Sequence, residues 1–298
     1  MSQAVFANPV PAAKRPRIPQ DPLYHPPAIA WPTLLLFAIA TGLWLLALTS
    51  AIQGWVHPAL AIGLQTVAGF MQFTVLHDGV HRSLLRGYPR LNNLISAVAG
   101  TALGFLGASA AFRYTHFKHH RLTNERGEDP DLWSGHGRAW TLPLQWATAD
   151  LYYGYVILKD WSTIPMRERI EIVVGVTVLA AAFAALVWLG YGSEALLYWL
   201  LPARLSILWL AFAFNYLPHH PHTVEQRHNP YAATNVREGA DAAMKWLFLY
   251  QNYHLIHHLY PSVPFYRYLK IWRQNRADFV TQGAPVVAWY ALNPQRGS

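Results

Sequence analysis

Three short histidine clusters are the part of this sequence best suited to chemistry. They read His77-Asp78-Gly79-Val80-His81, His116-Phe117-Lys118-His119-His120 and His254-Leu255-Ile256-His257-His258. Residues three and four apart lie on the same face of a helix, so each cluster can aim two or three imidazoles at one point. The spacing in all three clusters is that of metal ligands.

The number of imidazoles indicates two metal ions, because one tetrahedral zinc needs only three or four protein ligands. A purely structural role is disfavoured. Clustered imidazoles repel one another when protonated and leave polar nitrogens buried when neutral. Imidazole suits Zn, Cu, Fe and Ni alike, so the ligand type does not select the metal. The paired Glu-x-x-His pattern of ferritin-like di-iron bundles is absent from the sequence.

Several further residues are candidates for the same site. Asn215 and His219 are four residues apart, and His219 is a candidate ninth ligand, unless Pro218 ends the helix and His219 only caps it. Asp78, Asp129 and Asp131 could orient imidazoles by accepting from the ring nitrogen that faces away from a metal. They could equally be ordinary helix caps.

The composition is that of a membrane protein. Apolar residues make up 53% of the 298 residues and charged residues only 13%, which leaves too little polar surface for a soluble protein of this size. The absence of cysteine excludes thiolate ligands, iron–sulfur clusters and disulfides. The net charge of +8 does not indicate nucleic-acid binding, because the basic residues flank apolar runs.

Five apolar runs are about long enough to span a bilayer. They are Ile29–Ile52, Pro58–Leu76, Leu91–Phe112, Ile172–Tyr191 and Ala195–Phe214, the last interrupted by Arg204. The first two histidine clusters lie on either side of the third run and must meet at one site, so that run should not cross. It is rich in Gly, Ala, Ser and Asn, which favours a re-entrant or interfacial hairpin.

The predicted fold is therefore an all-α integral membrane protein with four transmembrane helices, this hairpin, and a cytoplasmic helical cap that carries the histidines. With four spans, every Lys and Arg except Arg204 of the 23 lies on one side, which the positive-inside rule makes cytoplasmic. We expect a bacterial inner-membrane protein with its site facing the cytoplasm. The segment Trp140–Trp161 is typical of an interfacial helix.

The domain boundaries expected from these patterns are a flexible cytoplasmic arm over residues 1–28, a membrane domain over 29–275, and a C-terminal tail over 276–298. The arm is rich in proline and lacks the apolar core of a signal peptide.

The order HxxxH, HxxHH, HxxHH at the cytoplasmic ends of four spans resembles the membrane fatty-acid desaturase and hydroxylase superfamily, over roughly residues 30–275. The C-terminal part is similar to desaturase-like β-carotene hydroxylases. The segments that carry this similarity are Phe214–His219, Gln251–Pro264 with Tyr266 and Tyr268, and His116–His120 followed by Asn124 and Glu128–Asp131. Asn215 stands where those carotenoid enzymes tend to have Asp and is more similar to acyl-chain desaturases.

The resemblance implies a non-haem di-iron enzyme that uses O2 and electrons from an external carrier, ferredoxin or a similar protein. The iron ligands it implies are His77, His81, His116, His119, His120, His219, His254, His257 and His258. The expected reaction is oxidation of an unactivated C–H bond in a lipid-soluble substrate that enters from the membrane lipids. Ring hydroxylation of a β-carotene-type substrate is the first expectation, and fatty-acyl desaturation or a related fatty-acid oxidation is the alternative.

A metal transporter is the main hypothesis from another class, since transporters also collect histidines. Transporters place their ligands near the bilayer midplane on broken helices and often contain inverted repeats. In this sequence the clusters lie at or beyond the ends of the apolar runs, and no repeat is visible. A metal-sensing or structural membrane protein remains open but does not explain so many ligands.

Overall fold

The computed structural model describes residues 16–104 and 109–292. Within these residues, four helices are long and apolar enough to span a membrane, which confirms the predicted number. They are α1 (Trp31–Ile52), α2 (Pro58–Val80), α7 (Met166–Trp188) and α8 (Gly192–Tyr216). At about 1.5 Å per residue, helices of this length match a hydrocarbon core of about 30 Å.

Local sequence explains where the spans begin and how the last one ends. Proline occupies the first turn of α1 and α2, where its missing N–H is no loss. The final turn of α8, Ala211–Tyr216, is a π-helical turn in which the amide of Leu217 bonds to the carbonyl of Phe212. Such turns shift the direction of the following side chains and are frequent at functional sites.

The run Leu91–Phe112 does not form a spanning helix in the part of the chain that the structure describes. It is divided between α3 (Pro89–Thr101) and the start of α4 (Ser109–Leu122), and residues 105–108 lie outside the described ranges. Thirteen residues of α3 extend only about 20 Å. The buried Asn92 ties α3 to the end of α2 by donating to the carbonyl of Gly79.

The remaining helices form the cap and the interfacial layer. They are α5 (Leu142–Ala147), α6 (Ala149–Lys159), α9 (Asp241–Leu247), α10 (His254–Leu259) and α11 (Tyr268–Thr281). Single 3-10 turns lie at Pro22–Tyr24, Pro130–Ser134, Ala139–Thr141, Trp161–Thr163, Gln251–Tyr253 and Phe265–Arg267. The segment predicted as one interfacial helix is thus α5 and α6 with a break at Thr148.

Two short strands complete the cap. Strand β1 (Val236–Glu238) pairs in parallel with β2 (Val286–Ala288), with Val236 opposite Val286. The boundary expected at residue 275 falls inside α11, and β2 extends the packed cap beyond it.

The main apolar core joins α2, the end of α8, α10 and α11, so it lies at one end of the spans. Part of the N-terminal arm is attached to this core. Tyr24 is buried and Arg267 donates to the carbonyls of Pro22, Leu23 and His25. The flexible arm stays a prediction for residues 1–15, which lie outside the described residues.

Candidate metal centre

Three helices bring the histidine clusters to one place. His77 lies in the last turn of α2 and His81 immediately follows it, the second cluster lies towards the end of α4, and the third forms α10. Among the nine candidate ligands, His81 is half-buried and the others are buried. The end of α8 brings His219 to the same point.

The histidines form two groups. In each group, one nitrogen from every ring lies within 4.8 Å of the others. Group one is His77, His81, His116 and His257, and group two is His119, His219, His254 and His258. Every group combines residues from at least three separate chain segments, so the tertiary fold assembles each of them.

His120 lies between the groups and is closer to group one. Its Nε2 is 2.7 Å from Nε2 of His257 and 3.1 Å from Nε2 of His116, while its ring centre is 4.6 Å from that of His258. Group one therefore has access to a fifth imidazole.

The distances between nitrogens fit a shared metal ion. Nε2 of His77 is 3.1 Å from Nε2 of His257, and Nε2 of His119 is 3.2 Å from Nε2 of His258. Two ligand nitrogens held about 2.1 Å from one ion at a right angle are roughly 3.0 Å apart. In group two, neither ring nitrogen of His219 has a hydrogen-bond partner among the described residues. A buried imidazole without a partner is costly unless a metal accepts its lone pair.

Burial keeps most of these rings neutral, which is the form that binds a metal. It lowers the pKa of His81 well below its ordinary value, and the neighbouring imidazoles add to this effect. The pKa is lowered in the same direction, again first by burial, for His116, His120, His219, His254, His257 and His258.

His119 differs because two carboxylates face it. Burial alone would lower its pKa, but Asp129 and Asp131 outweigh burial and raise that pKa to about 9. Nδ1 of His119 lies 2.7 Å from Oδ1 of Asp129, so this nitrogen donates to the carboxylate and Nε2 faces group two. Both alternatives that the sequence offered for Asp129 are present, because its carboxylate contacts His119 and also caps the turn Pro130–Ser134 by accepting from the backbone amide of Asp131.

Three orienting contacts come from residues that the sequence analysis missed. Nδ1 of His254 is 2.8 Å from Oε1 of Gln251, and Nδ1 of His258 is 3.0 Å from Oε1 of Gln226. The hydroxyl of Tyr268 is 3.3 Å from Nδ1 of His257. Such contacts fix the ring orientation and leave Nε2 free for a metal. Gln251 could have been predicted from the sequence, because it is a polar residue three positions before His254. No sequence pattern near Gln226 indicates its contact with His258.

The other polar candidates lie in different places. Asp131 is 3.6 Å from Nδ1 of His119, and Asn215 donates to the hydroxyl of Tyr153. Asp78 accepts instead from Thr33 of α1 at 2.8 Å, and no contact with an imidazole is found for its carboxylate in the described ranges. Its contact joins α1 to α2 beside the first cluster.

Arg204, unexplained by the sequence, is paired. Both terminal nitrogens of its guanidinium lie 2.5 Å from the carboxylate oxygens of Asp150, and one also donates to the carbonyl of Ala147. A bidentate pair satisfies the planar guanidinium and makes a cation tolerable inside a span. The pair ties α6 to α8.

Two spaces adjoin the histidines. A narrow cavity of about 30 Å³ lies against His77, His116 and His254, and its other walls include Phe73, Phe112, Phe214, Tyr153 and Asn215. A groove of about 1050 Å³ runs between α3, α4 and α7 and reaches His81. The three phenyl rings pack edge to face, with centres 5.0 and 5.1 Å from that of Phe73.

Comparison with known proteins identifies the family of this chain and two relatives. The fatty acid desaturase family model matches residues 53–290. A β-carotene ketolase from Paracoccus sp. (strain N81106 / MBIC 01143) is 30% identical over 222 residues, which cover 71% of this chain and 78% of the ketolase. A β-carotene ketolase from Paracoccus sp. (strain PC1) is 29% identical over 224 residues with the same coverage.

Proposed function

The chain belongs to the fatty acid desaturase family, and on that premise we propose that its two histidine groups hold two iron ions and that it oxidises a carotenoid ring with O2. It is an enzyme of the membrane oxygenase type. The observation that carries the proposal is the assembly of eight imidazoles into two adjacent groups, with His120 between them, at one end of four spans. Iron bound there would activate O2 for attack on an unactivated C–H bond.

The protein's own residues supply the setting for this reaction. Group one with His120 offers five nitrogens and group two offers four, so the second ion would keep more room for other ligands. Asp129, Gln226, Gln251 and Tyr268 fix the rings from behind. The phenyl walls of the narrow cavity make the space beside His77, His116 and His254 apolar, which would keep water from the metal centre and suppress side reactions.

A carotenoid is favoured as substrate by two observations. Two relatives, 30% and 29% identical to this chain, are β-carotene ketolases. The groove that reaches His81 has a volume of about 1050 Å³, and one of its walls is α7, which is largely exposed along its length and would face lipid. A bulky ring can enter such a groove directly from the bilayer, whereas an acyl chain is better held by a long narrow tunnel.

The product that we propose is an oxygenated ring carbon. Hydroxylation, the expectation from the sequence, gives an alcohol, and a second oxidation of the same carbon gives the ketone that the names of the relatives indicate. Fatty-acyl desaturation remains the alternative within the family, supported by the similarity of Asn215 to acyl-chain desaturases. Electrons would come from ferredoxin or a similar carrier, and the positive-inside rule favours a cytoplasmic site in a bacterial inner membrane.

The experiment is expression in cells that make β-carotene, with pigments and fatty acids both profiled and iron measured in the purified protein. We expect hydroxy- or keto-carotenoids, about two iron ions per chain, and O2 uptake linked to product. His257→Ala should abolish turnover and leave the protein in the membrane, because insertion depends on the apolar helices. His228→Ala is the matched control, since that histidine is 44% exposed and outside both groups.

Unchanged pigments together with new double bonds in fatty acids would replace the carotenoid proposal by the acyl alternative. Wild-type turnover by His257→Ala would refute the metal mechanism. Metal uptake into vesicles without O2 consumption would indicate a transporter.

A further inference from the structure

Helix α6 places a buried tyrosine in the wall of the narrow cavity that adjoins the metal centre. Tyr153 is 8% exposed and lines the cavity together with Asp131 and Asn215. From the sequence it belonged to an interfacial segment rich in aromatic residues, where tyrosine usually faces headgroups. Its position against the cavity therefore calls for a different explanation.

The hydroxyl of Tyr153 makes two hydrogen bonds with a defined direction. It has one proton, and a carboxylate can only accept, so it donates to Oδ1 of Asp131 at 2.5 Å. The oxygen then accepts from Nδ2 of Asn215 at 3.1 Å. The amide, the phenol and the carboxylate are thereby held in one fixed order.

This chain of contacts ends at group two. Oδ2 of Asp131 is 3.6 Å from Nδ1 of His119. The backbone N–H of Asp131 donates to Oδ1 of Asp129 at 2.9 Å. That same oxygen is 2.7 Å from Nδ1 of His119. A shift of Asp131 would therefore alter both carboxylate contacts of one candidate ligand.

The ion pair of α6 keeps Tyr153 in place. Asp150 precedes Tyr153 by three residues, so both side chains lie on one face of the helix. Arg204 of α8 holds Asp150, and the same helix α8 carries Asn215 four residues before His219. The otherwise costly arginine in the span thus fixes the distance between Tyr153 and Asn215.

We propose that Tyr153 is a positioning residue for group two. Its hydroxyl donates to the carboxylate of Asp131 and so orients this carboxylate beside His119. It also accepts from the carboxamide of Asn215 and fixes the orientation of that group in the cavity wall. The inference rests on the proposed function, because it assigns Tyr153 a role toward the iron of that site. It predicts that removal of one oxygen atom changes one iron ion and leaves the other unchanged.

The test compares Tyr153→Phe with Tyr152→Phe in the full-length protein, purified in lipid nanodiscs and loaded with ⁵⁷Fe. Tyr152 is the neighbouring tyrosine of α6 and is not among the residues that line the cavity. Its ring stacks on that of Trp133, with 4.8 Å between the ring centres. Mössbauer spectra, iron content and steady-state turnover are measured for each. For Tyr153→Phe we expect about two irons per chain, an altered signal from one iron, and kcat lowered about 10–100-fold with KM nearly unchanged.

A second variant makes the test independent of how well Tyr153→Phe folds. Asn215→Leu removes the amide donor on the other side of the phenol and should alter the signal of the same iron. If the two residues act through one contact, the double variant should turn over within about twofold of the more impaired single variant.

If the wild-type protein holds two irons and Tyr153→Phe has the same spectra and turnover as wild type, this inference is wrong and the proposed function is unaffected. Lower turnover in which both iron signals keep their wild-type form would also overturn it, since it would show loss of folded protein only. A wild-type protein that holds no iron would overturn the proposed function and this inference with it.

Discussion

The removal of His219 gives the sharpest test of the metal centre, because the sequence left its role open. His219→Ala deletes an imidazole that is 3% exposed and whose two nitrogens have no hydrogen-bond partner among the residues described. The structure therefore predicts that the substitution changes stability little without metal and lowers it with metal. If His219 is a ligand, its loss matters chiefly when metal is bound.

The magnitudes follow from these contacts. In metal-free protein, burial of an unsatisfied polar group costs about 1–3 kcal/mol, so its removal should offset most of the packing lost. Stability without metal should thus change little. With metal at about 100 times its Kd, each filled site adds about 2.7 kcal/mol. A chain of 298 residues unfolds with an entropy of about 0.6 kcal/mol/K, so loss of one site should lower the metal-induced rise in Tm by roughly 4 °C.

The assay is thermal unfolding of the purified protein with and without added Fe(II), together with metal content per chain. His220→Ala serves as the matched control, because His220 is adjacent in sequence but belongs to neither group. We expect about one metal per chain in His219→Ala and about two in the control. Two metals and a full metal-induced rise in Tm for His219→Ala would refute the assignment of His219 as a ligand.

Three other predictions concern separate parts of the molecule. Asn215→Asp should lower turnover about 10–100-fold, because an aspartate cannot donate a hydrogen bond to the hydroxyl of Tyr153. That hydroxyl already donates its only proton to Asp131, so it has none left for a new carboxylate. Improved carotenoid oxidation in a pigment assay would contradict this prediction. Single cysteines that replace Arg86 and Arg121 should both be labelled by an impermeant thiol reagent from one side of the membrane. A cysteine that replaces Trp55 should be labelled from the other side. Labelling of the Arg86 and Arg121 positions from opposite sides would disprove the topology. Glu238 has its pKa lowered, chiefly by the hydrogen bond from Arg276, so this carboxylate stabilises the fold above its unfolded pKa and the effect is lost as the pH falls through the folded pKa. The Tm difference between wild type and Glu238→Gln should therefore stay constant from pH 7 to about pH 5 and shrink only as the pH falls below the ordinary glutamate pKa of about 4.3. A difference that does not shrink there would exclude this role.

The sequence by itself predicted the spans and the candidate ligands, since both predictions depend on local pattern. An apolar stretch of about 20 residues requires a helix in lipid because the bilayer offers no partners for free backbone groups. The spacing of three and four residues places imidazoles on one helix face. The need to unite two clusters even showed that the run Leu91–Phe112 could not cross.

Only the tertiary structure decided which histidines share a site. His119 and His120 are adjacent in sequence, yet they lie nearest to different groups, because successive side chains on a helix are turned by about 100°. The groups were completed by α10, more than 130 residues away from this cluster. Sequence spacing within one helix carries no information about which distant helix approaches which face.

The same limit applies to the residues behind the ligands. Gln226 reaches His258 across 32 residues, Tyr153 reaches Asn215 across 62, and Arg204 reaches Asp150 across 54. A buried polar side chain must find a partner, but its partner is set by how the helices pack and not by its neighbours in the chain. The sequence alone therefore did not explain Arg204, and only the fold showed that it pairs with Asp150 of α6.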